Sequence, residues 1–248
     1  MINFDKSIFF YEPFPHCIIK NFLENSIYSE ICNEYPDHDL LKRMRDKRPE
    51  ENKFEKFNLG NNNKNSEFFY KFLNSTKTTK KFYQYLNSEK FLEVLNNFLN
   101  KNYIDLRMNL GHNSGIKNII KKILKKKKRV DFEFSSISTK NGYILPHTDG
   151  GNKLIGFVIP IIDNEEILNI KNIGTKILRA KSDKFKFNLF NKTVPFDETE
   201  LIRELPFEKN QMSLHIKTFN SLHAVGPLKV IDQKKEIFRK SISIFLIK

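Results

Sequence analysis

At Arg129 the hydrophobic period of this chain changes, and that change limits the fold more than any other feature. Val130, Phe132 and Phe134 alternate with Asp131, Glu133 and Ser135, and a repeat of two is the signature of a half-buried strand. The segments around 153–161, 174–180, 212–218 and 239–247 read as further short strands separated by turns. Short strands with frequent turn signals build a sandwich or a jelly roll. Before Arg129 the spacing is helical. Phe91, Leu92, Leu95, Phe98 and Leu99 share one face of SEKFLEVLNNFLN, and Ile116, Ile119, Ile120, Ile123 and Leu124 line one side of IKNIIKKILKKKK. Ser66 is placed to cap EFFYKFLN, Thr78 or Thr79 to begin KKFYQYLN, and Asn25 or Ser26 to cap a short helix ended by Pro36. The opening FFYEPFPHCIIKNFLE reads as extended, with a strand around Cys17–Ile19. The expectation is an α+β chain of one domain, 1–248, with a helix-rich region at 1–128 packed on a jelly-roll core at 129–248.

Two polar stretches resist this reading. Residues 37–65 are charged and long for a connection, so they read as a loop that covers something, with Arg43, Arg45 and Arg48 available to an anionic substrate. Residues 181–210 are also long and polar. The net charge of +14 invites a nucleic-acid partner. The simpler reading is composition, because Lys, Asn, Ile and Phe are enriched together, as an AT-rich genome produces throughout. Cys17 and Cys32 fit no metal spacing and make no disulfide framework, which suggests a reducing, cytoplasmic setting. The N-terminus lacks the pattern of a signal peptide, and no window approaches a membrane span.

The chemistry gathers in the β-rich half. His147-Thr148-Asp149 follows a glycine-containing turn. A separation of two places both side chains on one face of a strand, where an imidazole and a carboxylate can hold two corners of a metal site. Of the other histidines, His16 packs in the opening segment, and His112 sits in a loop without partners. His215 lies in the strand MSLHIKT on the face of Ser213 and Lys217, which reads as outward. His223, beyond a strand and between Leu222 and Val225, is the better third ligand. Two imidazoles and a carboxylate leave three adjacent positions open on a metal, the set that suits non-haem Fe(II); the HExxH helix of many zinc hydrolases is absent. In the last strand Arg239, Ser241 and Ser243 share a face. An inward arginine needs an anion, and a guanidinium with a neighbouring hydroxyl is a bidentate cradle for a carboxylate.

The ordered set His147-Thr148-Asp149, His223 and Arg239-Lys240-Ser241 resembles the Fe(II)- and 2-oxoglutarate-dependent oxygenases, above all their prolyl 4-hydroxylase-like branch. PFPHCIIKNFL, NGYILPHTDGGNK, GTKILRAK and NSLHAVGP are similar to family segments as well. The resemblance implies a double-stranded β-helix. It also implies Fe(II) on His147, Asp149 and His223, 2-oxoglutarate anchored by Arg239 and Ser241, O2 as second cosubstrate, and succinate and CO2 as coproducts. It implies hydroxylation of a small molecule, amino acid, glycan or peptide side chain, including an anionic one, since related halogenases carry a small residue where Asp149 stands. Many relatives have a tyrosine where this chain has Ser138. The alternatives are a nucleic-acid oxidative demethylase of the same superfamily and a jelly-roll binding module without turnover.

Overall fold

The computed structural model describes residues 2–43, 56–105, 129–140, 142–188, 190–230 and 236–247. Arg45, Arg48, His112 and the apolar face of 116–124 lie outside them. The architecture mixes helices with antiparallel sheets. In chain order the strands are β1 (Ser7–Phe10), β2 (His16–Lys20), β3 (Lys56–Gly60), β4 (Arg129–Ser138), β5 (Ile144–His147), β6 (Lys153–Ile161), β7 (Ile170–Lys171), β8 (Thr175–Ala180), β9 (Thr199–Leu205), β10 (Gln211–Ile216), β11 (His223–Val225), β12 (Lys229–Val230) and β13 (Phe238–Ile247). The helices are α1 (Asn25–Asn33), α2 (His38–Arg43), α3 (Ser66–Ser75), α4 (Thr78–Leu86), α5 (Glu89–Lys101) and α6 (Asp183–Lys186). None of the described helices is long and apolar enough to cross a membrane.

Seven strands form one sheet in the order β1-β2-β10-β6-β13-β4-β3, and four form a second, β5-β11-β8-β9. From β4 onward the chain passes back and forth between them: β4, β6, β10 and β13 join the large sheet, β5, β8, β9 and β11 the small one, and β7 pairs with β12 in a separate two-stranded sheet. The period of two divides the large sheet into an apolar and a polar face. Phe132, Phe134, Ile155, Phe157, Met212, Leu214, Ile242, Ile244 and Leu246 pack outward with Phe69, Phe82, Phe91, Leu95 and Leu99 of the helices, in the main core. The intervening side chains Glu133, Ser135, His215, Arg239, Ser241 and Ser243 line a cavity instead. Burying nonpolar surface on the helix side fixes the register, and the register then delivers the polar residues to the other face.

Tyr28 of α1 and Tyr35 just beyond its end tie this segment to the sheet. Tyr28 donates to Pro160 O at 3.0 Å, and Tyr35 donates to Ser135 O at 2.8 Å and Ser241 O at 3.2 Å. The caps differ from expectation. Neither Asn25 nor Ser26 caps α1: Glu24 holds that position without a side-chain bond, and the Asn25 amide oxygen accepts from Asn210 Nδ2 instead. Ser66 does not cap α3. Asn65 stands at its start and spends its amide on Asn58 O. Helix α4 begins at Thr78, and its cap comes from afar. The Glu34 carboxylate accepts from the backbone N–H groups of Lys77, Thr78 and Thr79.

The stretch 37–65 is not only a covering loop. It contains α2 and β3, and β3 pairs with β4 along the sheet edge. Phe57 and Leu59 alternate with Lys56 and Asn58, a strand pattern concealed by its charged flanks. Within 181–210, β9 pairs with β8 as a charged edge strand, a composition that discourages association with other chains.

Candidate metal centre

Strand β5 ends at His147, and β11 begins at His223; the two residues are direct partners across the small sheet. Asp149 follows with φ of 71°, in the left-handed region that aspartate tolerates better than most residues. Its carboxylate turns back between the sheets. One ligand atom from each of His147, Asp149 and His223 can be chosen so that all lie within 4.8 Å of one another. The Nε2 atoms of His147 and His223 lie 3.9 Å from Asp149 Oδ1 and 3.6 Å from Asp149 Oδ2, respectively.

Hydrogen bonds set the tautomers. His147 Nδ1 is 2.9 Å from Leu145 O, and His223 Nδ1 is 3.0 Å from Ser221 O. A carbonyl only accepts, so each Nδ1 carries the hydrogen and each Nε2 presents a lone pair. Burial lowers both imidazoles, His223 well below its usual value, against the pull of the Asp149 carboxylate. They are neutral donors at pH 7. Burial pushes the Asp149 carboxyl up, but Lys153, His223 and His215 outweigh it and hold the group well below the usual carboxylate range. Two neutral imidazoles and a carboxylate are the donor set of an Fe(II) facial triad, and all three groups are in the required protonation state.

His215 does not face solvent. Its Nε2 lies 2.9 Å from Asp149 Oδ2, and its ring centroid is 4.2 Å from that of His223. The outward reading assumed that polar neighbours mark a wet face. Here the polar face of the large sheet is the cavity wall, so the alternation that carries Ser213 and His215 carries them inward. Arg239 lines the same cavity from β13. Lys153, four residues after Asp149, puts Nζ 2.8 Å from Asp149 Oδ1 and 3.3 Å from the Phe245 ring centroid. Sequence reasoning missed it, although a lysine one strand start beyond a buried aspartate is a recognisable signal.

Arg239 and Ser241 stand on β13 across the cavity, both buried. Arg239 Nε donates to Ile173 O at 2.7 Å, and Nη1 donates to Ser241 Oγ at 3.3 Å. Nη2 is buried without a hydrogen-bond partner among the described residues, and the guanidinium lies 4.4 Å from the Phe207 ring centroid. Burial pushes the guanidinium down to about 10, which leaves it charged at neutral pH. Ser138 does not line the cavity, and its hydroxyl donates to Glu236. Tyr143 does line it, beside Thr175 and Val225. His147, Asp149, His223, Arg239 and Ser241 all border this one cavity of about 590 Å³. Arg43 lies elsewhere, exposed at the end of α2. His16 is buried in the opening strand pair and takes no part in the cluster.

No protein-family profile matches the sequence, and no curated protein does. Among solved structures the chain is similar to a Pseudomonas putida prolyl-4-hydroxylase, at 10% identity and a TM-score of 0.42, covering 94% of this chain and 92% of that one. It is similar to a full-length Neurospora crassa protein solved in complex with alpha-KG, at 11% identity and a TM-score of 0.44, over 93% of this chain and 74% of that one. A Burkholderia pseudomallei oxidoreductase of the 2OG-Fe(II) oxygenase family is similar over 56% of this chain and 55% of its own, at 11% identity and a TM-score of 0.30.

Proposed function

We propose that this chain is an Fe(II)- and 2-oxoglutarate-dependent dioxygenase that hydroxylates an unactivated C–H bond, on a double-stranded β-helix. One observation carries the reading. A single cavity joins two imidazole lone pairs and a carboxylate at one end to a buried, charged guanidinium at the other, with an N–H that meets no partner among the described residues. A buried cation without an anion is costly, and a dicarboxylate spanning the cavity meets the needs of both ends. His147, Asp149 and His223 would hold the iron, and Arg239 with Ser241 would take the distal carboxylate of 2-oxoglutarate. Iron, when bound, supplies activation of O2 coupled to decarboxylation of 2-oxoglutarate to succinate and CO2.

The protein's own work is binding and orientation. The carbonyls of Leu145 and Ser221 fix the two imidazole planes. The Nη1–Ser241 bond holds the guanidinium in its fork geometry before the cosubstrate arrives. Lys56, Asn58, Asn152 and Lys153 line other parts of the cavity wall, so the substrate proposed is a polar small molecule, amino acid, glycan or peptide side chain. The test is succinate release from 2-oxoglutarate in the presence of Fe(II), O2 and a panel of such candidates. His147→Ala and Asp149→Ala should each abolish it. Turnover that survives in the absence of O2 sinks the oxygenase reading.

A further inference from the structure

The imidazole of His215 neither ligates the metal nor anchors the cosubstrate in the proposed reaction, yet its surroundings leave it little freedom. Strand β10 lies inside the large sheet, between β2 and β6. Across the ladder from His215 stands Gly156. A Cβ at position 156 would sit 2.3 Å from His215 Cε1 and 2.6 Å from its Nε2, so only glycine leaves the ring its place. On another side the ring packs on His223, with centroids 4.2 Å apart. Asp149 is an anion that can only accept, so at 2.9 Å His215 Nε2 must carry the hydrogen and donate to Oδ2. The other carboxylate oxygen is held differently, by an ammonium on a flexible four-carbon stem, Lys153.

We propose that His215 is a positioning residue for the metal centre: its N–H sets the orientation of the Asp149 carboxylate. The inference rests on the reading of His147, Asp149 and His223 as metal ligands. A carboxylate reached from a left-handed backbone position swings about two side-chain bonds, and a rigidly held donor that fixes it removes that freedom before the metal binds. Lys153 holds the same carboxylate through a flexible ammonium that competes with a metal for it. Such partners of ligating groups typically contribute 10- to 100-fold to metal affinity.

The test titrates Co(II) into the full metal-free chain without cosubstrate. It compares wild type with His215→Leu and His215→Gln, whose amide N–H reaches near the position of Nε2–H. His215→Leu should weaken Co(II) binding about 10- to 100-fold, and His215→Gln should recover affinity to within a few-fold of wild type. If His215→Leu fails to fold, Gly156→Ala serves in its place, because it drives the ring aside without changing its chemistry, and the same weakening is expected. Equal affinities for wild type and His215→Leu would overturn the proposal, as would a glutamine variant as weak as the leucine one. A wild-type chain that binds no Co(II) would overturn the metal reading itself, a result visible before any variant is made.

Discussion

Arg239 enters the cavity with Nε on a carbonyl and Nη1 on Ser241, while Nη2 meets no partner among the described residues. A hydrogen bond to a charged partner contributes about 1.5–3 kcal/mol, and each 1.4 kcal/mol is tenfold in binding. Arg239→Gln should therefore weaken 2-oxoglutarate binding by roughly 10- to 100-fold while changing Co(II) affinity only a few-fold. Calorimetric titration of each ligand separates the two effects, and equal losses would place the cosubstrate elsewhere. His16 makes a different point at the same scale. Its ring is buried, with Nδ1 toward Phe14 O and Nε2 without a partner among the described residues, and burial lowers its pKa from 6.5. The unfolded chain therefore takes up the proton first. The stability held above pH 6.5 is lost as the pH falls from there toward the folded-state value. Urea midpoints measured on the metal-free protein should drop across that window, and His16→Asn should make the drop shallower.

At the scale of elements, α4 depends on a residue outside itself. Burial raises the Glu34 carboxyl, but the N–H groups of Thr78 and Thr79 outweigh it and hold it below its usual range. Losing such a cap costs about 1–2 kcal/mol. Glu34→Ala should lower the urea midpoint accordingly with an unchanged slope, whereas an unaffected midpoint would mean the cap contributes nothing. No local pattern could have announced this cap, because Glu34 and Thr78 are brought together only by the packing of α1 on α4. Strands β4, β6, β10 and β13 were legible because one face of each is a clean apolar row. Strands β3 and β9 were not. Phe57 and Leu59 are too few to stand out between charged flanks, and β9 exposes much of its length at a sheet edge. Of the proposed site, His147, Asp149, His223, Arg239 and Ser241 are singled out by spacing and strand alternation, and all five line one cavity. His215 could be placed on the right face but not on the right side of that face. Whether a polar face looks at water or at a cavity depends on the second sheet, which lies far away in sequence.

At the scale of the molecule, one sheet serves two purposes. Its outer face carries the apolar core against the helices, and its inner face carries the charged and imidazole groups. That division gathers the buried charges along one cavity wall and leaves Arg239 Nη2 without a partner among the described residues. Fe(II) or Co(II) with 2-oxoglutarate at about 100 times their dissociation constants should raise unfolding stability by roughly 2.7 kcal/mol for each independently bound ligand. A chelator should reverse the metal's share, as read by thermal unfolding with and without each component. The most direct measurement is an anomalous difference map at the iron edge, from crystals grown anaerobically with Fe(II) and 2-oxoglutarate. The expected result is one iron peak bounded by His147 Nε2, His223 Nε2 and the Asp149 carboxylate, with the distal carboxylate of 2-oxoglutarate on Arg239. Iron bound away from these three side chains, or 2-oxoglutarate that leaves Arg239 unpaired, would contradict it.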